Sequence, residues 1–320
     1  MSKIVPIEAQ LNPLAQMLNR DIIAELLQEK RSLNTRHAYG KDLKDFFQTV
    51  ASSSPTPEVV GHFLALERFE AVALVLQYKR QMINRGLKEA TVNRRLSAIK
   101  SLVSYARKLG KCNYTLEDVK GEKVQKYRDT TGIGRDVIRL VLAVPNRETL
   151  KGKRDYALLR LLWDNALRRG EVVSADIRDF EPEAKRMKIR GKGRGTSVEV
   201  IDLAASTVQA VCEWLGARGE LRQDAPLFIA LDNANKGHRL TGSAIYWIVE
   251  QACQAAGVGK QMSPHRLRHS SITAALDATD GNVRKVQKLS RHRQIDTLMI
   301  YDDNRSQDQR EISELLAELA

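Results

Sequence analysis

Four short segments in the second half of the chain carry polar side chains that a hydrophobic core does not need. They are residues 166–171, 191–196, 263–269 and 289–292, and a tyrosine follows the last segment by nine residues. The side chains among them that could do chemistry are Arg168, Lys192, His265, Arg268, His292 and Tyr301. No cluster of acidic residues accompanies them in the sequence, so we expect chemistry that needs no metal ion.

Together, these residue types could break and re-form a phosphodiester bond. A guanidinium group matches the nonbridging oxygens of a phosphate, whose negative charge grows in the transition state. A histidine can accept or share the proton of a phenol, and a lysine can protonate the leaving oxygen. A tyrosine can act as a covalent nucleophile that conserves the energy of the broken bond. The set therefore predicts a reaction without a cofactor.

Each segment taken alone also has a structural explanation. Arg168 follows a predicted helix and could complement the negative end of its dipole. The glycine-rich stretch could be a plain hairpin turn, since it does not match the phosphate-binding loop G-x-x-x-x-G-K-[ST]. His265 and His269 have the spacing of a zinc-protease pair, but that motif has a glutamate where this chain has arginine, so no zinc is expected. Tyr301 could be a core aromatic residue.

The charge of the chain indicates a polyanionic partner. Its 320 residues include 52 lysines and arginines against 39 aspartates and glutamates, which gives a formal net charge of +13, and both halves are basic. Each cation that neutralises a phosphate releases counterions, so a nucleic acid is the partner we expect first. An acidic protein or an acidic membrane surface would fit the charge alone.

Composition excludes several other classes of protein. No stretch approaches the ~18 uninterrupted apolar residues that cross a bilayer, and the first ten residues do not form a signal peptide. We therefore expect a cytoplasmic protein with no membrane partner. The three cysteines lie far apart, which predicts neither a disulfide framework nor a cysteine-based zinc site.

Helical periodicity dominates the first half of the chain. Apolar residues recur every three or four positions over residues 32–50, 59–84 and 91–109. The last of these helices has an apolar face and an opposite basic face, which includes Arg94, Arg95 and Lys100. A solvated surface explains such a face by itself, but the net charge of the chain favours contact with phosphates.

A polar, weakly periodic stretch separates two predicted domains. We expect a helical domain over residues 1–120, a linker over 121–134 and a second domain over 135–320. In the second domain, strand-like residues 186–190 and 197–203 flank the glycine-rich stretch as a hairpin, and most of the rest is helical. The predicted fold class is mainly α, with a small β-hairpin or sheet.

The motifs resemble those of the tyrosine recombinases of the phage integrase family, in their two-domain, Xer-like form. The sequence Ala-Leu-Arg-Arg-Gly-Glu around Arg168 is similar to the family's G-L-R-x-x-E box, and His265 and Arg268 match H-x-L-R. His292 ends a segment similar to L-G-H, and Tyr301 follows it at the family's spacing.

The resemblance extends to the first domain and has two departures. Residues 35–46 resemble T-x-x-x-Y-x-x-D-L-x-x-F of the N-terminal core-binding, SAM-like domain. Ala166 and Arg291 stand where the family's boxes usually have glycine. Arg291 thereby adds a cation beside His292, and this cation could contact phosphate.

The resemblance implies that Tyr301 attacks a scissile phosphate and forms a 3′-phosphotyrosyl link. It places Arg168 and Arg268 on the nonbridging oxygens, and His265 and His292 around the nucleophile. Lys192 would protonate the 5′-oxygen, although Arg194 of the same turn could also reach it. The residues expected to bind DNA are Arg94, Arg95, Lys100, Arg194, Arg266 and Arg291.

The partners implied by the resemblance are duplex DNA with an inverted-repeat core site and further copies of this chain. Four active sites act on two duplexes, so we expect a homotetramer on DNA, a monomer or weak oligomer without it, and association with the nucleoid. An apolar stripe near the C-terminus, Ile312, Leu315, Leu316 and Leu319, could dock on its own domain or on a neighbouring protomer, and we favour the neighbour. The need for an accessory protein and the biological role (integration, excision, resolution or inversion) are open.

Two other functions fit the same residues. A type IB topoisomerase would use the same chemistry to relax DNA without a specific site. A non-catalytic protein would bind a specific DNA sequence and leave it intact, and the departures at Ala166 and Arg291 keep this alternative open.

Overall fold

A computed structural model of the chain describes residues 20–124, 133–191, 198–219, 222–292, 294–296, 298–299 and 308–319. The chain divides between Tyr127 and Arg128 into two compact units. The described residues form thirteen α-helices and a three-stranded antiparallel sheet, and this confirms the predicted fold class, mainly α with a small sheet.

In the described part of the first unit, all the regular secondary structure is helical. The helices are α1 (Ile22–Glu29), α2 (Leu33–Ala51), α3 (Pro57–Leu64), α4 (Arg68–Asn84) and α5 (Glu89–Lys108). Side chains of Asp21, Ser32 and Thr56 cap the first three by accepting hydrogen bonds from the backbone of the first turn. Aromatic rings from α2, α3 and α4 meet edge to face in the core, with centroids 5.0–5.8 Å apart.

The second unit has eight helices in its described part. They are α6 (Arg135–Ala143), α7 (Leu150–Asp164), α8 (Arg169–Ser174), α9 (Ala205–Arg218), α10 (Gly242–Ala255), α11 (Pro264–Asp277), α12 (Val283–Ser290) and α13 (Asp308–Glu318). Helix α7 buries four leucines in the core. Trp214 of α9 is stacked on Phe228 and donates from Nε1 to the Leu227 carbonyl at 2.9 Å. Helix α7 packs against α6, α8, α9 and α11, so it lies at the centre of this core.

The sheet of the second unit contains the predicted hairpin. Strand β1 (Phe180–Glu181) pairs with β2 (Arg186–Arg190), and β2 pairs with β3 (Val198–Asp202), both antiparallel. Arg190 is opposite Val198, so the two longer strands face each other over their whole length. The strands confirm the hairpin, and residues 192–197 between them lie outside the described residues.

One helix begins earlier than the periodicity predicted. The apolar pattern alone predicts a helix over about residues 155–166, whereas α7 begins at Leu150 after the N-cap Thr149, whose hydroxyl accepts from the Gly152 N–H at 3.0 Å. Polar residues in the first turn concealed this start, because they interrupt the apolar pattern. Among the described helices, none is long and apolar enough to cross a membrane.

Candidate active site

The first candidate segment is the turn between α7 and α8. Ala166 has a φ of +45°, in the left-handed region, and Leu167 is fully buried. Arg168 is the N-cap of α8, where its backbone N–H donates to Oε2 of Glu171 at 2.8 Å and its Nη1 donates to Oε1 at 2.7 Å. The side chain of Arg168 keeps 32% exposure. The Glu171 carboxylate thus binds both the backbone N–H and the guanidinium of Arg168, while part of the guanidinium remains exposed to solvent.

The second segment forms the start of α11. Ser263 caps this helix by accepting from the Arg266 N–H, and Pro264 occupies its first turn. Arg268 is buried, and its guanidinium donates to the carbonyls of Ala166 and Ser290. Its Nη2 also lies 3.5 Å from Nε2 of His292. Arg268 therefore joins three of the four segments.

Two histidines of α11 face each other. His265 is exposed and His269 is buried, and their Nε2 atoms lie 2.8 Å apart, with the two rings nearly perpendicular at 89°. Such a hydrogen bond needs one donor and one acceptor, so the two Nε2 atoms share one proton. His269 thus restrains the ring and tautomer of His265.

The last described segment follows helix α12. The C-cap residue of this helix is Arg291, which has a φ of +55°. His292 is half-buried, and its carbonyl accepts from Nε2 of Gln287 at 3.0 Å. The backbone and the side chain of Gln287 together fix this end, because the Gln287 carbonyl accepts from the Arg291 N–H at 2.8 Å.

Arg291 is directed into the protein and not toward solvent. Its side chain is 4% exposed, and Nη1 donates to the carbonyls of Asn165 at 3.0 Å and Leu289 at 2.8 Å. Nη2 donates to Oε2 of Glu171 at 2.9 Å and to the Ala166 carbonyl at 3.4 Å. The guanidinium is engaged inside the fold, and this position does not support our prediction that Arg291 binds DNA.

Glu171 is buried between two arginines and carries charge. Burial raises the pKa of its carboxyl, but the charges of Arg291 and Arg168 and the Arg168 N–H more than offset burial and hold that pKa below its ordinary value. Burial lowers the pKa of the Arg291 guanidinium, and Glu171 opposes this shift. The guanidinium groups of Arg168 and Arg291 therefore both contact the Glu171 carboxylate, and the net charge of these three groups is positive.

The structure brings together four of the six predicted catalytic residues. Arg168 donates from Nη2 to the Arg291 carbonyl at 3.3 Å, Arg268 lies beside His292, and His265 is one turn before Arg268 on α11. Lys192 and Tyr301 lie outside the described residues, as does Arg194, one of the predicted DNA-binding residues.

The predicted DNA-binding residues of the first unit differ in exposure. Arg94 is half-exposed and pairs with the buried Asp42 at 2.9 Å, and Lys100 is partly buried beside a surface cleft. Arg95 is only 16% exposed, donates to Asp45 and lies 3.2 Å from the Tyr78 hydroxyl. Its guanidinium links α5 to α2 and α4, and this position does not support our prediction that Arg95 binds DNA.

Arg266 is the remaining predicted DNA contact. It is partly buried, and its Nη1 donates to the Gln261 carbonyl at 3.2 Å. Two residues that our sequence reasoning left without a role, Glu171 and His269, contact predicted catalytic side chains directly. Glu171 could have been found from its fixed place in the arginine box, and His269 from its position four residues after His265.

Known proteins are similar to this chain over most of its length. The sequence profile of the phage integrase family matches residues 133–308, and that of the phage integrase N-terminal SAM-like domain matches residues 23–110. The tyrosine recombinase slr0733 of Synechocystis sp. is 52% identical over 94% of this chain and 96% of its own length. A tyrosine recombinase XerC of Pelobacter propionicus is 27% identical over 86% of this chain and 87% of its own length.

Solved structures share the fold. The XerH site-specific recombinase, in a post-cleavage complex with its palindromic difH substrate, has a TM-score of 0.67 at 20% identity and covers 99% of this chain and 91% of its own. A lambda integrase dimer bound to a COC′ core site has a TM-score of 0.62 at 12% identity and covers 94% and 96%. At these identities the likeness shows the fold alone.

Proposed function

Because this chain belongs to the phage integrase family of tyrosine recombinases, which break and rejoin DNA, we propose that it recombines duplex DNA at a specific site through a 3′-phosphotyrosyl intermediate. The observation that carries the proposal is the convergence of Arg168, Arg268 and His292 on one frame of buried hydrogen bonds. Two guanidinium groups held beside a histidine suit a phosphate whose nonbridging oxygens gain charge during the reaction.

The first chemical step transfers the phosphate from DNA to the protein. The phenolic oxygen of Tyr301 attacks the scissile phosphorus and gives its proton to His265 or His292, and the bond from phosphorus to the 5′-oxygen breaks. Lys192 or Arg194 gives a proton to that oxygen, which leaves as a 5′-hydroxyl. His265 and His292 hold charge and protons around the nucleophile.

The second step reverses the first on a new strand. The 5′-hydroxyl of the partner strand attacks the phosphotyrosyl phosphorus, and the tyrosine oxygen leaves and regains a proton. The number of phosphodiester bonds is conserved, so the exchange needs no nucleotide. In this proposal the arginines provide the charge stabilisation that a metal ion would otherwise give.

Binding is shared by both units in this proposal. We assign residues 1–120 to a DNA-binding domain, residues 121–134 to a linker and residues 135–320 to the catalytic domain. Arg94, Lys100, Arg194 and Arg266 are the DNA contacts that we retain, and the target is duplex DNA with an inverted-repeat core site in the nucleoid. The net charge of +13 supports this partner.

Assembly into a homotetramer on DNA is the last part of the proposal. Leu315, Leu316 and Leu319 of the α13 segment are 58%, 61% and 84% exposed, so an apolar surface is available to a neighbouring protomer. Deleting residues 312–320 should abolish paired-duplex complexes while single-duplex binding persists. Unchanged pairing by the shortened protein would mean that this helix is not the link.

Covalent trapping tests the proposed chemistry. Wild-type protein, Tyr301→Phe and the control Tyr156→Phe are mixed with fragmented host DNA, denatured in detergent, and examined for protein–DNA adducts, whose DNA is sequenced. We expect adducts at one recurring sequence with wild type and the control, and none with Tyr301→Phe, which should still bind. Salt-sensitive binding without any adduct would support the non-catalytic alternative. Relaxation of a plasmid that lacks the recovered sequence would support a topoisomerase.

A further inference from the structure

Two left-handed residues meet in the candidate active site. Ala166 has a φ of +45° and Arg291 a φ of +55°, and Nη2 of Arg291 lies 3.4 Å from the Ala166 carbonyl oxygen. Residues with a side chain rarely adopt this conformation, and glycine does so without strain. Both positions are also the ones where the sequence departs from the glycines of the resembling motifs. Something in the structure must therefore hold each strained turn.

The guanidinium of Arg291 supplies that restraint. Its four acceptors come from two parts of the chain. The Asn165 and Ala166 carbonyls and the Glu171 carboxylate lie around the α7–α8 turn, and the Leu289 carbonyl lies at its own helix end. A buried arginine with this many acceptors fixes their relative positions, because each bond lost would leave a buried polar group unpaired. Arg291 thus fastens the α7–α8 turn to the end of α12.

Both proposed phosphate-binding arginines share an acceptor with Arg291. The Ala166 carbonyl accepts from Arg268 as well as Arg291, and the Glu171 carboxylate accepts from Arg168 as well as Arg291. Without Arg291, Glu171 would keep one cationic partner, and its full charge would draw Arg168 away from the surface. The Ala166 carbonyl would lose its hydrogen bond from Arg291 and could move, and the Arg268 guanidinium that donates to it would move as well.

On the basis of the proposed function, we propose that Arg291 is a positioning residue for strand cleavage. It does not touch DNA, and its guanidinium sets the orientation of Arg168 and Arg268 through Glu171 and Ala166. The consequence is a separation of two measurable quantities. Loss of Arg291 slows the chemical step, while the affinity for the site stays near that of the wild type.

The test uses full-length protein and a nicked duplex carrying the sequence recovered from covalent adducts. Single-turnover adduct formation at saturating protein gives the rate of the chemical step, and equilibrium titration gives the Kd. For Arg291→Gly and Arg291→Lys we expect the rate to fall by at least about tenfold, since small displacements of catalytic groups cost this much or more. The Kd should change less than about threefold, which is small on the scale of affinity.

A matched control separates positioning from loss of stability. Arg154 is also buried, pairs with Asp155 at 2.8 Å and donates to the Ile229 carbonyl, and it contacts none of the candidate catalytic residues in the described structure. Arg154→Ala should therefore lower the Tm and leave the cleavage rate unchanged at temperatures where it is folded.

Chemical rescue adds a second test. Added ethylguanidinium should fill the space vacated in Arg291→Gly and raise the cleavage rate of that variant several-fold, and it should not affect the rate of Arg154→Ala.

Two results would overturn the proposal. Cleavage by folded Arg291→Gly at the wild-type rate would show that the hydrogen bonds of the Arg291 guanidinium are dispensable for catalysis. A Kd raised more than about tenfold with an unchanged rate would make Arg291 a DNA contact. If Arg291→Gly does not fold, Arg291→Lys decides by the same two measurements. Failure of the wild type to form any adduct would instead contradict the proposed function, so the two failures are distinguishable.

Discussion

The Nε2 atom of the exposed His265 lies 2.8 Å from the Nε2 atom of the buried His269, one turn further along the same helix. A histidine that accepts or donates a proton in catalysis must present one particular ring nitrogen to the substrate. The hydrogen-bond partner of the other ring nitrogen determines which of the two nitrogens carries the proton. The sequence supplies both histidines, but only the helix geometry makes His269 the partner that orients His265.

Replacing His269 should therefore slow cleavage without weakening DNA binding. His269→Ala leaves the ring of His265 unrestrained, and we expect the single-turnover cleavage rate to fall by about tenfold, which is less than the roughly 10²–10⁴-fold that a proton-transfer group itself contributes. His269→Gln, whose amide can reach the same place, should recover part of the rate. The exposed His238 offers a control, since His238→Ala should match the wild type. Equal rates for His269→Ala and the wild type would remove His269 from the mechanism.

Acid stability should depend on the pair of Glu171 and Arg291. The pKa of Glu171 lies below its ordinary value of 4.5, so the ionised carboxylate stabilises the fold above that pH, and the contribution is lost as the pH falls through the folded-state pKa. In Arg291→Ala, burial raises this pKa with less to oppose it, and protonation begins at a higher pH. We expect acid unfolding, followed by circular dichroism, to shift upward by roughly half a pH unit or more.

A double variant shows whether Glu171 causes that shift. Glu171→Gln removes the titrating group, so adding it to Arg291→Ala should abolish most of the upward shift in the midpoint of acid unfolding. A midpoint that moves equally with and without Glu171 would attribute the effect to packing around Arg291 and not to the charge of the carboxylate.

Arg95 should contribute to stability and Arg94 to DNA affinity, although the two are neighbours on α5. Arg95→Ala leaves Asp42 and Asp45 with fewer partners in a largely buried network, and we expect the free energy of unfolding in urea to fall by about 2 kcal/mol. Arg94→Ala should cost at most about 1 kcal/mol, because this pair is half-exposed, and should reduce the salt dependence of DNA binding by about one phosphate contact. The opposite assignment of the two effects would contradict the structure.

These arginines illustrate what the sequence could and could not predict. Periodicity gave the helices and the hairpin, since apolar spacing reports which face is buried. Periodicity also predicted one basic face that includes Arg94 and Arg95. It could not distinguish the two side chains, because it contains no information about acidic residues on a different helix. The position of Asp42 and Asp45 opposite Arg95 is a tertiary fact, and it turns a predicted surface cation inward.

The candidate site was predictable to a similar degree. The motifs selected Arg168, His265, Arg268 and His292, which the structure brings together, since their order and spacing are visible in the sequence. The direction of Arg291 was not predictable, because it depends on a left-handed φ and on acceptors supplied by residues more than 100 positions earlier.

Two glycines should respond oppositely to alanine. A Cβ on Gly152 would lie 1.8 Å from the Asn146 carbonyl oxygen, so Gly152→Ala must displace the backbone before α7, and we expect a loss of more than about 3 kcal/mol of unfolding free energy or no folded protein. Gly216 lies exposed within α9 and meets nothing within 4 Å, so Gly216→Ala should be neutral or stabilising by up to about 1 kcal/mol. Thermal unfolding of both variants checks the pair, and an unaffected Gly152→Ala would refute the close approach.

The choice between Lys192 and Arg194 as the group that protonates the leaving oxygen can be decided by changing the leaving group. If sulfur replaces the 5′-bridging oxygen of the scissile phosphate, the leaving group is a thiolate, which departs without a proton because thiols have a pKa of about 8.5. On ordinary DNA, loss of the general acid should slow cleavage by roughly 10²–10⁴-fold, and on the sulfur-containing site the same variant should react as fast as the wild type. We expect Lys192→Ala to behave in this way. Arg194→Ala should show a smaller defect that sulfur does not relieve, and rescue of Arg194→Ala in place of Lys192→Ala would transfer the role to Arg194.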